Sequence, residues 1–154
     1  MKRRSFLKGT LASSMVGVAV SAGLLTPRMV LAKYPQASFD AKDLDGAINS
    51  FTGASNPSES GDIKVKAPDI AENGAVVPVT VSTSIKNVES ISLYVKENPQ
   101  PLSCAYDLAA DTRGFVSTRI KMGKTSDLIA VVKSGGKLYS ASKKVKVTIG
   151  GCGG

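Results

Sequence analysis

The sequence predicts an all-β fold: a seven-stranded antiparallel β-sandwich, preceded by one short helix and followed by a glycine-rich arm. Three observations predict it. Between Ile63 and Ile149, apolar and polar residues alternate with period two in seven short runs, the pattern of strands that bury one face. Turn-forming residues separate the runs at spacings of roughly 8–12 residues, as in sandwich folds. Only one stretch has helical spacing, with Leu44, Ala47, Ile48 and Phe51 recurring at three to four residues.

That helix comes first. Ser38 or Asp40 can cap its start and Gly53 can stop it, because a glycine accepts the left-handed conformation that ends helices. Ala54 to Gly61 is polar, rich in Ser, Asn, Pro and Gly, and reads as a loop. Ile63 to Ala67 is a short strand ending at Pro68, and Asp69 to Gly74 is a turn. Val77, Val79 and Val81 then alternate with polar residues, and Pro78 places this strand at an edge or a bulge. Val88 to Lys96 sets Ile91, Leu93 and Val95 on one face, before Asn98-Pro99-Gln100-Pro101 breaks the chain.

In the next strand Leu102, Cys104, Tyr106 and Leu108 share a face opposite Ser103, Ala105 and Asp107. Cys104 therefore reads as a small core residue, since unpaired cysteine is among the most buried residue types. Phe115 to Met122 follows, with Val116, Ile120 and Met122 aligned. Leu128 to Val132 is almost continuously apolar, as a central strand requires. Ser134-Gly135-Gly136-Lys137 reads as a hairpin turn, and Leu138 to Ile149 is the last strand. An immunoglobulin-like arrangement best accommodates seven such strands in one domain.

Both ends lie outside this domain. Lys2-Arg3-Arg4-Ser5-Phe6-Leu7-Lys8, a weakly apolar stretch to Leu25, and Val30-Leu31-Ala32 form a charged start, an apolar middle and a small-residue cleavage site. Residues 1–32 thus read as a secretory signal rather than a membrane anchor. The pair Arg3-Arg4 followed by Ser-Phe-Leu-Lys specifies the twin-arginine route to the periplasm. Five of the 20 Lys and Arg residues fall in this segment, which has no acidic residue. The remainder carries 15 basic and 12 acidic residues, a net charge near +3. No basic run with interleaved aromatics is left to bind nucleic acid. A mildly positive surface still favours small anions or an acidic partner, and Lys143, Lys144 and Lys146 read as a solvated strand face that could take that part.

Residues 33–149 are the helix and sandwich, and residues 150–154 are the arm: Gly150-Gly151-Cys152-Gly153-Gly154. The chain has no histidine and two cysteines, which removes His-dependent triads and most zinc and copper sites. Asp62, Asp69, Glu72, Glu89, Glu97, Asp107, Asp111 and Asp127 are scattered and suggest no acid–base pair, so no catalytic or metal-binding residues are expected. Cys152 carries the chemistry. An uncrowded thiol with a pKa of ~8.5 is a few per cent thiolate at neutral pH. Glycines on both sides give it mobility and a narrow cross-section, the properties of a covalent tether that enters other proteins' active sites. A Cys104–Cys152 disulfide is the alternative for this residue and would tie the arm down.

The export signal, the stretch Ala67-Pro68-Asp69-Ile70-Ala71-Glu72-Asn73-Gly74-Ala75-Val76-Val77-Pro78-Val79, the seven-strand pattern and the terminal Gly-Gly-Cys-Gly-Gly together resemble the SoxY family. The resemblance spans essentially the whole chain. It implies an immunoglobulin-like, non-catalytic carrier of sulfur in periplasmic thiosulfate oxidation, without a cofactor and paired with a SoxZ-like subunit. It implies that a c-type cytochrome complex conjugates thiosulfate to Cys152. A manganese-dependent hydrolase then releases sulfate to leave a persulfide, and in some systems a sulfane dehydrogenase oxidises that sulfur further. Cys104 departs from the single-cysteine pattern the resemblance implies. The competing expectations are an exported binding or adhesion module whose terminal cysteine only crosslinks subunits, and a thiol-dependent enzyme, which would need a base beside Cys152.

Overall fold

The structure, a computed structural model, describes residues 34–148. The expected signal segment 1–32, with Arg3 and Arg4, and the arm 150–154, with Cys152, lie outside the described residues.

The helical region is two helices, α1 (Gln36–Asp40) and α2 (Leu44–Thr52), rather than one. The expected caps Ser38 and Asp40 fall inside α1. Ala41 turns extended (φ −60°, ψ 136°) and ends it. Asp43 then caps α2, its Oδ1 accepting the Gly46 N–H at 2.7 Å and satisfying one of the free donors of the first turn. Gly53 ends α2 as expected, at φ 78°, with its N–H donating to the Asn49 carbonyl. Lys133 donates its ammonium to the carbonyl of Thr52 at 3.0 Å, placing a cation at the helix C-terminus, where the carbonyls point.

The seven expected strands are all present: β2 (Ile63–Lys66), β4 (Val77–Thr83), β5 (Val88–Val95), β6 (Leu102–Asp107), β7 (Phe115–Ile120), β8 (Ser126–Ser134) and β9 (Lys137–Val147). Two more, β1 (Ser58–Glu59) and β3 (Ile70–Ala71), have two residues each and fall where the sequence suggested only loop and turn. They pair parallel to β9, while the seven longer strands pair antiparallel. The larger sheet runs β1-β9-β8-β5-β6 with β3 also on β9, and the smaller runs β2-β4-β7. Their inner faces form an immunoglobulin-like β-sandwich.

Its core is built by Val77, Val79 and Val81 of β4 against Ile91, Leu93 and Val95 of β5 and Leu128, Ala130 and Val132 of β8. Pro78 does not mark an edge: β4 is the central strand of its sheet. β2 pairs only with Thr80 to Thr83, however, so at Pro78 one flank of β4 has no ladder for a missing N–H to leave incomplete. The β8–β9 hairpin closes through Gly135 and Gly136 at φ 56° and 71°, the positive pair that a two-residue hairpin turn demands.

The outer face of the larger sheet is also covered. Ala47 and Ile48 of α2 meet Tyr94, Val131, Leu102 and Leu138 in a second buried cluster, which gives helix, sheet and sheet as three layers. A bulge between Leu93 and Tyr94 sets Cys104 opposite Leu93 but Leu102 opposite Tyr94. The extra residue inverts the facing of the strand. Leu102 therefore lies under the helices, while Cys104, Tyr106 and Leu108 keep the sandwich side. Among the described residues, no helix is long and apolar enough to cross a membrane.

Candidate functional site

Cys152 and its flanking glycines Gly150, Gly151, Gly153 and Gly154 lie outside the described residues, so the candidate site is described through the last described strand that precedes them in the chain. That strand is β9, and its end is the root of the arm. Val145 is fully buried in the sandwich core and Val147 packs at its margin. One residue after Val147 the described chain ends, at Thr148.

Both edges of the root are bonded. On one side the chain from Ala67 to Gly74 runs along β9. The Asp69 carbonyl accepts the Lys146 N–H at 2.9 Å, and the Ala71 carbonyl accepts the Thr148 N–H at 3.1 Å. The Thr148 hydroxyl also reaches the Ala71 carbonyl, at 3.5 Å. Lys143, grouped from sequence with the solvated lysines, turns its ammonium to this segment instead. It donates to the Ala67 carbonyl at 2.6 Å and lies 3.0 Å from Asp69 Oδ1. Asp69 is largely exposed, so the ion pair adds under about 1 kcal/mol, and the bond to the carbonyl fixes the geometry. Lys144 and Lys146 are exposed, as expected.

On the other side β8 begins only at Ser126, opposite Val145. Beyond it the Thr125 side chain takes the place of a strand: its hydroxyl accepts the Val147 N–H at 3.0 Å and donates to the Val147 carbonyl at 3.4 Å. Below the root, the Gly74 carbonyl accepts the Met122 N–H at 2.7 Å. A Cβ on Gly74 would collide with the Met122 carbonyl oxygen and come within 2.8 Å of Val147 Cγ1, so only glycine lets the segment lie this close. The turn is set by Asn73, whose Oδ1 accepts the Ala75 N–H at 2.9 Å.

Cys104 stands apart from the root. It is a free thiol packed against the sandwich core. Burial pushes its pKa up to about 11, opposed in smaller part by a hydrogen bond with Tyr106. Such a thiol is a poor nucleophile. Among the described residues, no group of three or more Cys, Asp and Glu is placed to hold a metal ion. A hollow of about 700 Å³, lined among others by Ile85, Lys86, Leu108, Arg113 and Gly135, opens at the end of the sandwich opposite the root. Sequence reading gave no sign that Thr125, Asp69 and Gly74 hold the end of β9, and it grouped Lys143 with the solvated lysines. The Asn73-Gly74 dipeptide signalled a turn, but nothing local signalled what the turn packs against.

The fold defines a class: an immunoglobulin-like sandwich whose last strand is bonded on both edges near its end. The sequence matches the family described as Sulfur oxidation protein SoxY over residues 48–152. The chain belongs to the SoxY family. It is similar to the solved sulfur carrier protein SoxY from Chlorobium limicola f thiosulfatophilum, with 47% identity, a TM-score of 0.64, and coverage of 70% of this chain and 97% of that one. A chain from a structure of T cell activation by the bacterial superantigen toxic shock syndrome toxin-1 aligns at 8% identity and a TM-score of 0.40, covering 56% of this chain and 99% of that one. A CARDB domain from Pyrococcus furiosus aligns at 11% and 0.36, covering 61% and 95%. Likenesses of that order carry no functional argument. No curated protein sequence matches the chain.

Proposed function

We propose that the protein is a non-catalytic covalent carrier of sulfur in thiosulfate oxidation, with Cys152 as the attachment point and Gly150, Gly151, Gly153 and Gly154 as the arm that presents it. The observation that carries this reading is family membership that extends to Cys152 itself, joined to a root bonded on both edges immediately before the glycines. A carrier needs a fixed base and a free end.

The chemistry follows from one thiol. Joining thiosulfate to Cys152 forms an S–S bond, releases the thiol proton and sends two electrons to a c-type cytochrome acceptor. Water then attacks the terminal sulfonate in a manganese-dependent hydrolase. Sulfate leaves and a persulfide remains on Cys152, for further oxidation by a sulfane dehydrogenase or for transfer. A SoxZ-like subunit completes the carrier, and the Arg3-Arg4 signal directs residues 33–154 to the periplasm after cleavage at Ala32.

Distance supports a free arm over a disulfide. Leu93, Ala130 and Ala141 lie level with Cys104 across the larger sheet, so Cys104 and Val147 are separated by about 14 Å across the strands and about 20 Å along β9. Five extended residues span only ~17 Å, and bridged Cα atoms sit within ~7 Å. A bridge would need the whole arm pulled taut across the sheet.

The test is the intact mass of the protein from thiosulfate-oxidising cells, with and without reductant. Reductant-labile additions of about 112 Da and about 32 Da mapping to Cys152 are expected. The Cys152→Ser variant should fold normally and support no thiosulfate-dependent electron flow. Full activity in that variant, or a Cys152-linked dimer as the sole product, would replace this reading with that of a binding module whose cysteine crosslinks subunits.

A further inference from the structure

We propose that Ile70 and Val76 are the contact by which the enzymes that act on Cys152 dock onto the body of this protein, and that those enzymes carry an apolar rim with acidic neighbours around the opening that admits the arm. The inference rests on the carrier reading of Cys152.

Among the described residues, the large hydrophobic side chains left exposed are Tyr34, Ile70, Val76 and Phe115. Ile70 is 56% and Val76 50% exposed, and both belong to the segment that holds the root. Ile70 sits between the two carbonyls that accept from Lys146 and Thr148, which puts its backbone about 4.8 Å from β9. Val76 is two residues from Gly74, which abuts Val147, so it lies within about 12 Å of the root. The exposure of Ile70 is not demanded by the fold. Ile70 contributes its backbone to the pairing with β9 while its neighbour Ala71 fills the core.

Scattered exposed hydrophobics need no explanation in general; here the length of the arm supplies one. Cys152 is four residues beyond Thr148, a reach of about 14 Å at full extension. An enzyme that encloses the thiol must bring its surface within that distance of Thr148, and so onto the side chains that ring it. The ring also carries charges of both signs: Asp69 and Glu72 are exposed on the same segment, Asp69 being paired with Lys143. Lys144 and Lys146 are exposed on the outward side of β9, and Ile70 is in register with Lys146. A partner that buries Ile70 therefore places its own flanking groups beside an ammonium, where carboxylates gain both attraction and orientation.

The experiment compares Ile70→Glu, Val76→Glu and the double variant with Phe115→Glu, which makes the same change at a side chain 51% exposed at the opposite end of the sandwich. Ile70→Thr keeps the β-branched strand preference and guards against a simple loss of β3. Each carrier, with its partner subunit, is titrated into the thiosulfate-conjugating cytochrome complex while cytochrome reduction is followed. In parallel, Cys152 is titrated with a small disulfide reagent that needs no docking. The double variant is expected to lose about tenfold or more in kcat/KM, mainly through KM for the carrier. Ile70→Thr should show a smaller loss of the same kind, Phe115→Glu none, and every variant wild-type reactivity with the small reagent. Wild-type loading of the double variant overturns the proposal. So does an equal loss in Phe115→Glu, or loss of the partner subunit from the double variant, which would make the patch a subunit interface. If the wild-type carrier reacts with the small reagent but is never loaded, the carrier reading falls and the docking site falls with it.

Discussion

Replacing Gly74 by alanine should disturb the root of the arm without altering a single residue of the arm. The methyl group would collide with the Met122 carbonyl oxygen and lie 2.8 Å from Val147 Cγ1. The valine can rotate, but the carbonyl belongs to backbone held by the Met122 N–H bond to Gly74 itself, so relief requires the two segments to part. Overpacking of this kind costs about 1–3 kcal/mol. For a domain of this size, about 2 kcal/mol lowers the Tm by about 10 °C. The backbone conformation of Gly74 is not in the left-handed region, so the cost arises from space alone. Gly61 has nothing within 4 Å of its own Cβ position, and Gly61→Ala should melt within about 2 °C of wild type or slightly above it. Melting curves of the two variants, with amide hydrogen exchange at Val147 and Thr148, form the assay. The expected result is a lowered Tm in Gly74→Ala together with faster exchange at both amides. Equal melting temperatures and unchanged protection would refute the close approach of the segment to the root.

Thr125→Val preserves shape but removes the acceptor of the Val147 N–H. At this exposed position it should cost about 0.5–1 kcal/mol and speed exchange at Val147 while leaving Lys146, bonded to Asp69, protected. With its pKa raised from 9.0 to about 11, Cys104 holds about a hundredfold less thiolate than an ordinary cysteine at pH 8; peptide mapping after brief alkylation should find it unlabelled in the native protein and labelled after denaturation. Burial raises Tyr94 from 10.0 to about 12, with Ser92 opposing in smaller part. Between those values the unfolded chain releases a proton that the folded chain keeps, so stability falls as pH rises through this window and is unaffected by the group below it. Denaturant titrations from pH 9 to 11 should show a shallower decline for Tyr94→Phe than for wild type.

The parts of this fold legible in the sequence are those dictated by short-range alternation. Val77, Val79 and Val81, or Ile91, Leu93 and Val95, cannot face water together, and their strands lie where the period places them. What alternation could not convey was anything that depends on a partner distant in sequence. The two-residue strands β1 and β3 are too short to have a period and exist because β9 offers them an edge. Leu102 changed faces because one residue bulges opposite Leu93 and Tyr94. Tyr94, Val131 and Leu138, residues of the faces opposite the expected core, are buried because the helices cover that side. Lys143 looked solvated beside Lys144 and Lys146, yet strand parity turns it inward, to the carbonyl of Ala67. For the candidate site, the sequence points to Cys152 through its glycine surround, a residue outside the described ones, while the residues that hold the end of β9 come from three separate stretches of chain.

The double bonding of β9 also has a mechanical consequence. On the carrier reading, a partner that gripped Cys152 and withdrew in line with β9 would load a strand whose ladder to β8 runs almost at right angles to its axis. Tension in that direction would be carried in shear by many hydrogen bonds at once, with β3 and Thr125 taking the first share. A terminus lying across the sheet would be peeled away one bond at a time. On that reading, the thiol would be released from a tight grip with the last strand still in place.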